Sequence, residues 1–181
     1  MNDIGKPHFL VLSALGQDRP GLINELSHTL LDCGCNIEDS RMTVLGGEFS
    51  IILLLSGQWN NITKVEQTIA TLQKELHLVI TTRKTETRDQ QPNLLPYMVE
   101  VVSIDHPGIV YHLANFFSTR NINIEDMVTS SYAAPHTGTP MFAMHLEVEI
   151  PADLSISNLR EEFLDFCDEL NLDAVIEPFK G

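Results

Sequence analysis

The sequence predicts an α+β protein built from two copies of one βαββαβ unit, and three observations predict it. The first is an internal repeat. Asp18-Arg19-Pro20-Gly21-Leu22-Ile23 returns as Asp105-His106-Pro107-Gly108-Ile109-Val110, and Asn36-Ile37-Glu38-Asp39 returns as Asn123-Ile124-Glu125-Asp126. Both matches share an offset of 87 residues, at which Leu26 also falls on Leu113. Two separated motifs in one register mark a duplicated unit. The second observation is that, in each copy, short apolar runs alternate with stretches of helical period. The third is the stretch Lys84 to Asn93, which is polar and aperiodic, contains Pro92 and is soon followed by Pro96. It reads as a connector. The expected organisation is a first domain over 1–86, a linker over 87–96 and a second domain over 97–181.

The elements of the first copy follow in order. Phe9 to Leu15 is a short apolar run with Gly16 beyond it, which predicts a buried strand. Pro20 suits a first helical turn, where its missing N–H costs nothing. Leu22, Ile23, Leu26, Leu30 and Cys33 then recur at helical spacing, and Gly34 ends the helix. Ile37 to Leu45 is a second strand, Gly46-Gly47 a hairpin turn, and Phe49 to Leu55 a third strand. Ile62, Val65, Ile69, Leu72 and Leu76 form one apolar stripe of a second helix. His77 to Thr82 closes the unit as a fourth strand.

The second copy repeats this order. Tyr97–Ile104 is a strand, Pro107–Thr119 a helix, Ile124–Ser130 and Met141–Ile150 strands. A helix carrying Ile156, Leu159, Phe163, Phe166 and Leu170 follows, then a strand over Leu172–Pro178. The loop Ala133 to Pro140 is longer than its Gly46-Gly47 counterpart. The expected architecture is the split-βαβ, ferredoxin-like arrangement, an antiparallel sheet with two helices on one face.

Composition bounds the function. Of 181 residues, 43% are apolar, enough to bury a core. Against 25 Asp and Glu stand only 11 Lys and Arg, a formal charge of −14. Residues 91–181 hold 14 of the acids and 3 of the bases. Direct binding to nucleic acid needs clustered Lys and Arg and is not expected. The acidic half is a solvated surface or a steering surface for a basic protein partner. No apolar run is long enough for a membrane span, and MNDIGKP does not open a secretory signal. Three cysteines, an odd number, suit a reduced, cytoplasmic protein.

The repeated Asp-x-Pro-Gly between strand and helix has a physical use. The glycine permits close approach of a ligand, and the first helical N–H groups lack internal partners at the positive end of the helix dipole. Such a place takes carboxylates. Asp18 would cap the helix or hold an ammonium group, and Asn36 or Asn123 offers both donor and acceptor. Together they are suited to the two ends of an amino-acid zwitterion. Each residue alone is equally at home as a cap, a first-turn proline or the start of a strand.

These motifs and the βαββαβ order resemble the ACT family of small regulatory domains. The resemblance covers nearly the whole chain. Within that family the chain is similar to stand-alone tandem members that repress the glycine cleavage system, a group that shares the loop ending Pro135 to Phe142. The resemblance implies a non-enzymatic, amino-acid-responsive regulator without cofactor, with glycine as the first candidate ligand. It implies repression by contact with a DNA-binding activator and no direct binding to DNA. It also implies pairing of ACT domains within one chain or in a homodimer. The ligand-binding positions it implies are Asp18, Arg19, Pro20, Gly21, Leu22, Ile23, Asn36 and Ile37 in the first copy. In the second they are Asp105, His106, Pro107, Gly108, Ile109, Val110, Asn123 and Ile124. The rival readings are an allosteric subunit of a separate enzyme of amino-acid metabolism and a small ferredoxin-like enzyme.

Other constellations carry less. Cys33-Gly34-Cys35 lacks the partners of a zinc site and reads as a helix-end and a strand-start cysteine; Cys167 reads as core. His106 adjoins the expected site and can respond to pH, whereas His145 sits in a strand among apolar neighbours. No nucleophile elbow, phosphate loop, zinc-protease or dinucleotide motif occurs. Glu38-Asp39 and Glu125-Asp126 are expected on opposite faces of their strands, so they form no acid–base dyad.

Overall fold

The computed structural model describes residues 6–86 and 93–179. The chain divides into two compact units, Met1–Asp89 and Gln90–Gly181. The first unit runs β1 (His8–Gln17), α1 (Leu22–Asp32), β2 (Asn36–Leu45), β3 (Glu48–Gly57), α2 (Trp59–Leu76) and β4 (Val79–Thr85). The second repeats it as β5 (Leu94–Ile104), α3 (Ile109–Ser118), β6 (Asn123–Ala133), β7 (Pro140–Pro151), α4 (Ile156–Glu169) and β8 (Asp173–Pro178). Residues 87–92 of the expected linker lie outside the described residues; Leu94 to Pro96 already pair with β7.

Both sheets have the same order, β2-β3-β1-β4 and β6-β7-β5-β8, with every neighbouring pair antiparallel. This is the ferredoxin-like α+β arrangement expected of the sequence. Its cause is the strict alternation along the central strands. Leu10, Leu12 and Ala14 of β1 and Phe49, Ile51, Leu53 and Leu55 of β3 point into one core with Leu22, Leu26 and Leu30 of α1 and Ile62, Val65, Leu72 and Leu76 of α2. The helices cover that face because their own apolar residues recur every three or four positions. In the second unit Val99, Val101, Met144, Leu146 and Val148 meet Leu113, Phe116, Phe117, Leu159 and Phe163. The rings of Phe116, Phe117 and Phe163 stack with centroids 5.2–5.4 Å apart. Each unit therefore has its own core, and among the described residues both helices of a unit pack on the same face of its sheet.

Several local expectations are corrected. Pro20 and Pro107 do not open their helices. The helices begin two residues later, at Leu22 and Ile109, because Gly21 (φ 93°) and Gly108 (φ 99°) hold a left-handed N-cap that a helical proline turn would forbid. Gly16 does not end β1 but pairs with Phe49 inside it. A β-carbon there would stand 2.8 Å from the His77 carbonyl oxygen, so glycine serves a close approach of β4's leading turn. His77 does not start a strand; it is the left-handed C-cap of α2. The Gly46-Gly47 hairpin is as expected, both residues having the positive φ of a type I′ turn.

The Glu38-Asp39 and Glu125-Asp126 pairs do not follow simple alternation. The β2–β3 register slips between Ile37 and Asp39, and the β6–β7 register slips between Ile124 and Asp126. Glu38 and Glu125 are the extra residues of two β-bulges at equivalent places. In both, the Asn of the motif donates its amide to the bulged Glu: Asn36 Nδ2 to Glu38 Oε1 at 2.9 Å, and Asn123 Nδ2 to Glu125 Oε1. The Ser56 hydroxyl also donates to Glu38.

Candidate ligand seats at the strand–helix turns

The turn after β1 is fixed by one main-chain bond, from Asp18 N–H to the Gly47 carbonyl at 3.0 Å. It ties the strand–helix turn to the β2–β3 hairpin. Asp105 N–H makes the same bond to the Pro140 carbonyl, at 2.9 Å. Neither α1 nor α3 receives a side-chain cap, so Asp18 is not the helix cap expected of it. The leading N–H groups of both helices stay available at the positive end of the dipole.

In the first unit this turn opens on a groove of 460 Å³, lined by Asp18, Arg19, Gly21, Leu22, Ile23, Asn24, Ser27, Met42 and Phe49. The floor is apolar, since Leu22 and Phe49 are buried in the core. The structure thus gathers five expected residues: Asp18, Arg19, Gly21, Leu22 and Ile23. Pro20 is exposed in the turn beside them. Four lining residues escaped the sequence reading. Asn24 and Ser27 lie on the solvent side of α1 and were legible from helical spacing. Met42 and Phe49 come from β2 and β3 and depend on strand register.

Asn36 and Ile37 are not brought to this groove. Asn36 pairs with Ser56, which pairs with Phe9 at the start of β1. The Asp-x-Pro-Gly turn follows the other end of that strand, about 26 Å away at 3.3 Å per residue. The second unit separates Asn123, level with Pro96, from the turn after Ile104 in the same way. Within one unit the two motifs therefore cannot grip one small zwitterion. The crossover helix returns the chain to the sheet's starting end before β2 begins.

The two turns differ electrostatically. Arg19 makes a two-pronged bond to Glu25, Nη1 to Oε1 at 2.7 Å and Nη2 to Oε2 at 2.8 Å. That bond holds the Glu25 carboxyl below its ordinary range and raises the guanidinium. The fork lies over Gly21: a β-carbon there would sit 3.2 Å from Glu25 Oε1. In the second unit His106 and His112 take the places of Arg19 and Glu25, and the His112 ring lies 3.5 Å from a β-carbon built on Gly108. Asp105 accepts from the Ser131 hydroxyl at 3.1 Å, whereas Val44 stands at Ser131's place in the first unit and gives Asp18 no such donor.

The remaining candidates resolve simply. Cys33, Cys35 and Cys167 are buried free thiols. Burial pushes Cys167 up to about 12, and burial with the neighbouring Cys33 raises Cys35. His145 lies in its strand between buried Met144 and Leu146 and opposite Val128, but its own side chain is exposed, with Nδ1 3.5 Å from Glu100. Among the described residues no group of three or more His, Cys, Asp or Glu is placed to hold a metal ion. Among them, too, no helix is long and apolar enough to cross a membrane.

The ACT domain family model matches residues 8–83, the first βαββαβ unit, and the second unit repeats its element order and its left-handed glycine turn. The chain is 35% identical over 173 residues to the glycine cleavage system transcriptional repressor of Escherichia coli, covering 96% of this chain and 91% of that one. A solved structure of a candidate glycine cleavage system transcriptional repressor superposes with a TM-score of 0.70 at 30% identity, over 97% of this chain and 99% of that one. An unknown protein from Galdieria sulphuraria superposes with a TM-score of 0.79 at 25% identity, over 97% and 100%. The chain belongs to the family of the glycine cleavage system transcriptional repressor, and it is a regulator built of ACT domains.

Proposed function

We propose that the chain senses a small amino acid, glycine first, and represses glycine cleavage genes by contact with a DNA-binding activator. The observation that carries the sensing is the open groove at the first strand–helix turn, lined by Asp18 and by apolar Leu22 and Phe49 where a helix without a side-chain cap begins. The N–H groups suit the carboxylate of the ligand and Asp18 its ammonium group. The equivalent turn at Asp105, His106, Pro107, Gly108, Ile109 and Val110 is the second seat, of different affinity because histidines replace the Arg19–Glu25 fork. Asn36 and Asn123 brace the bulges instead of touching ligand in their own unit, and Ile37 and Ile124 follow them. The net charge of −14 suits contact with a basic, DNA-binding protein and opposes binding to DNA itself. The role calls for no catalysis and no cofactor and belongs in the cytoplasm.

Mechanism follows from differential affinity: ligand favours one arrangement of the protein, and the activator reads it. The test is thermal unfolding with a panel of amino acids, followed by capture of the purified activator with and without the best ligand. Glycine at about 100 times its Kd stabilises the native state by about 2.7 kcal/mol. The rise is expected to vanish in Gly21→Val and Gly108→Val combined. A flat response across the panel refutes sensing. Capture of the activator that is indifferent to ligand refutes the coupling.

A further inference from the structure

The helix layer of the second unit holds an open groove, and we infer that it receives a basic, amphipathic helical segment of a protein partner. Two hollows of 320 and 360 Å³ lie along α4, and both are lined by Arg120 and Glu162. They are two halves of one groove, divided by that ion pair, Nη2 to Oε2 at 2.9 Å. One half has Leu154 and Leu159 in its lining, the other the rings of Phe116 and Phe166, 5.1 Å apart. From Ser155 to Glu169 the groove follows α4 for about 21 Å at 1.5 Å per residue, the span of a helix of about four turns.

Charge decides what fits. Glu162, Asp165 and Glu169 recur at helical spacing, so one row of carboxylates edges the groove. Arg120 is the cation in the lining of both halves, and it is already engaged. Its guanidinium lies 3.8 Å from the Phe116 ring centroid, Nη1 donates to the Phe116 carbonyl at 3.0 Å, and Nε and Nη2 both donate to Glu162. Asp165 and Glu169 are exposed and pair with no cation among the described residues. The facing helix α3 holds no Lys, Arg, Asp or Glu.

The helix itself is electrostatically incomplete. α4 carries five acids and one base, whereas its counterpart α2 carries two of each. Like charges three and four residues apart oppose a helix. Asp168 and Glu169 also stand at its C-terminal end, where the dipole favours cations and the last turn supplies none. A cationic helix laid along the groove relieves both conflicts. Its Lys and Arg stems cover the apolar lining while their heads reach the carboxylates, and its apolar residues at helical spacing fill the two hollows. The inference rests on the proposed role, contact with a basic DNA-binding protein, and names the face which that contact uses.

The experiment is fluorescence anisotropy of the full chain with two labelled probes, a synthetic amphipathic Leu/Lys helix of about 16 residues and the purified activator. Asp165→Lys/Glu169→Lys is expected to weaken both by about tenfold or more, and about 0.5 M salt to weaken the wild type likewise. Glu147→Lys/Glu177→Lys makes the same change of charge on the sheet and is expected to cost less than about threefold. The α4 substitutions put cations where the helix dipole favours them, so urea denaturation is expected to show no loss of stability. Equal weakening by the two pairs overturns the inference, as does a wild type that binds neither probe. Activator bound equally by the wild type and the α4 variant overturns it too, and leaves the proposed role standing. Peptide binding that depends on α4, with the activator ignored by every form, upholds the groove and overturns the role.

Discussion

Substituting Phe163 by Ala tests whether the two units stand on separate cores. The ring is fully buried and packs against Phe116 and Phe117 at 5.2 and 5.3 Å. Removing a buried phenyl ring costs about 3–5 kcal/mol, the transfer of the ring plus the cavity it leaves. A unit of this size has about 5–13 kcal/mol in all. With a urea slope of about 2 kcal/mol per molar, the transition of the second unit is expected to fall by about 2 M. The sequence provides the probes. The single tryptophan, Trp59, lies in the first unit, and all three tyrosines, Tyr97, Tyr111 and Tyr132, lie in the second. Tryptophan-selective fluorescence therefore follows the first unit, while circular dichroism follows both. Expected is a biphasic dichroism curve in which only one phase moves and the Trp59 transition stays in place. If both transitions shift together by the same amount, the two cores are not independent and the account of the fold in two self-sufficient units is wrong.

Further outcomes follow from the turns, the thiols and the acids. Gly21→Ala and Gly108→Ala force an L-residue into a left-handed N-cap, so each is expected to cost its unit about 1–2 kcal/mol by urea denaturation. A neutral result in either refutes the left-handed cap there. Cys33, Cys35 and Cys167 are buried, with Cys35 and Cys167 held protonated, so a thiol reagent is expected to label none in native buffer and all three on unfolding. Rapid native labelling would refute their burial. Ser56 first and Asn36 next hold the Glu38 carboxylate below its ordinary range; Ser40 N–H and Arg41 do so for Asp39. A lowered folded value means stability that is full above the unfolded carboxylate range of about 4 and is lost as pH falls through the folded values. The first unit is therefore expected to weaken on acidification below about pH 4, and Glu38→Gln to lessen that slope. An unchanged slope in Glu38→Gln refutes the bulge bonds as its source.

Element order was legible in the sequence because it rests on local periodicity. The stripe Ile62, Val65, Ile69, Leu72, Leu76 names a helix, and Gly46-Gly47 names its turn without help from the rest of the chain. Where reading failed, a neighbour distant in sequence decided. Gly16 looked like a terminator, yet it is glycine because the His77 carbonyl comes from β4's leading turn. The Asn-Ile-Glu-Asp motif gave no sign of a β-bulge, because its register slip exists only against β3 or β7. Half of the candidate site was legible for the same reason. Asp18, Arg19, Gly21, Leu22 and Ile23 fall within six successive positions around one turn, whereas Met42 and Phe49 reach it through the hairpin. The distance between Asn36 and that turn was implicit in the order strand, helix, strand, since a crossover helix carries the chain back to where the sheet began.

The paired bulges bear on the fate of the protein at high concentration. β2 and β6 are outermost strands of ten and eleven residues, almost wholly exposed along their length. A straight edge of that length is a template on which another strand can add, and then another, into an endless ribbon. One surplus residue in each, clamped by its own Asn, twists the edge out of true and places carboxylates at the fault, so that a stray chain finds no continuous ladder to copy. Duplication doubled the number of vulnerable margins in this molecule, and the same four-residue motif guards the longer margin of each sheet against runaway polymerisation.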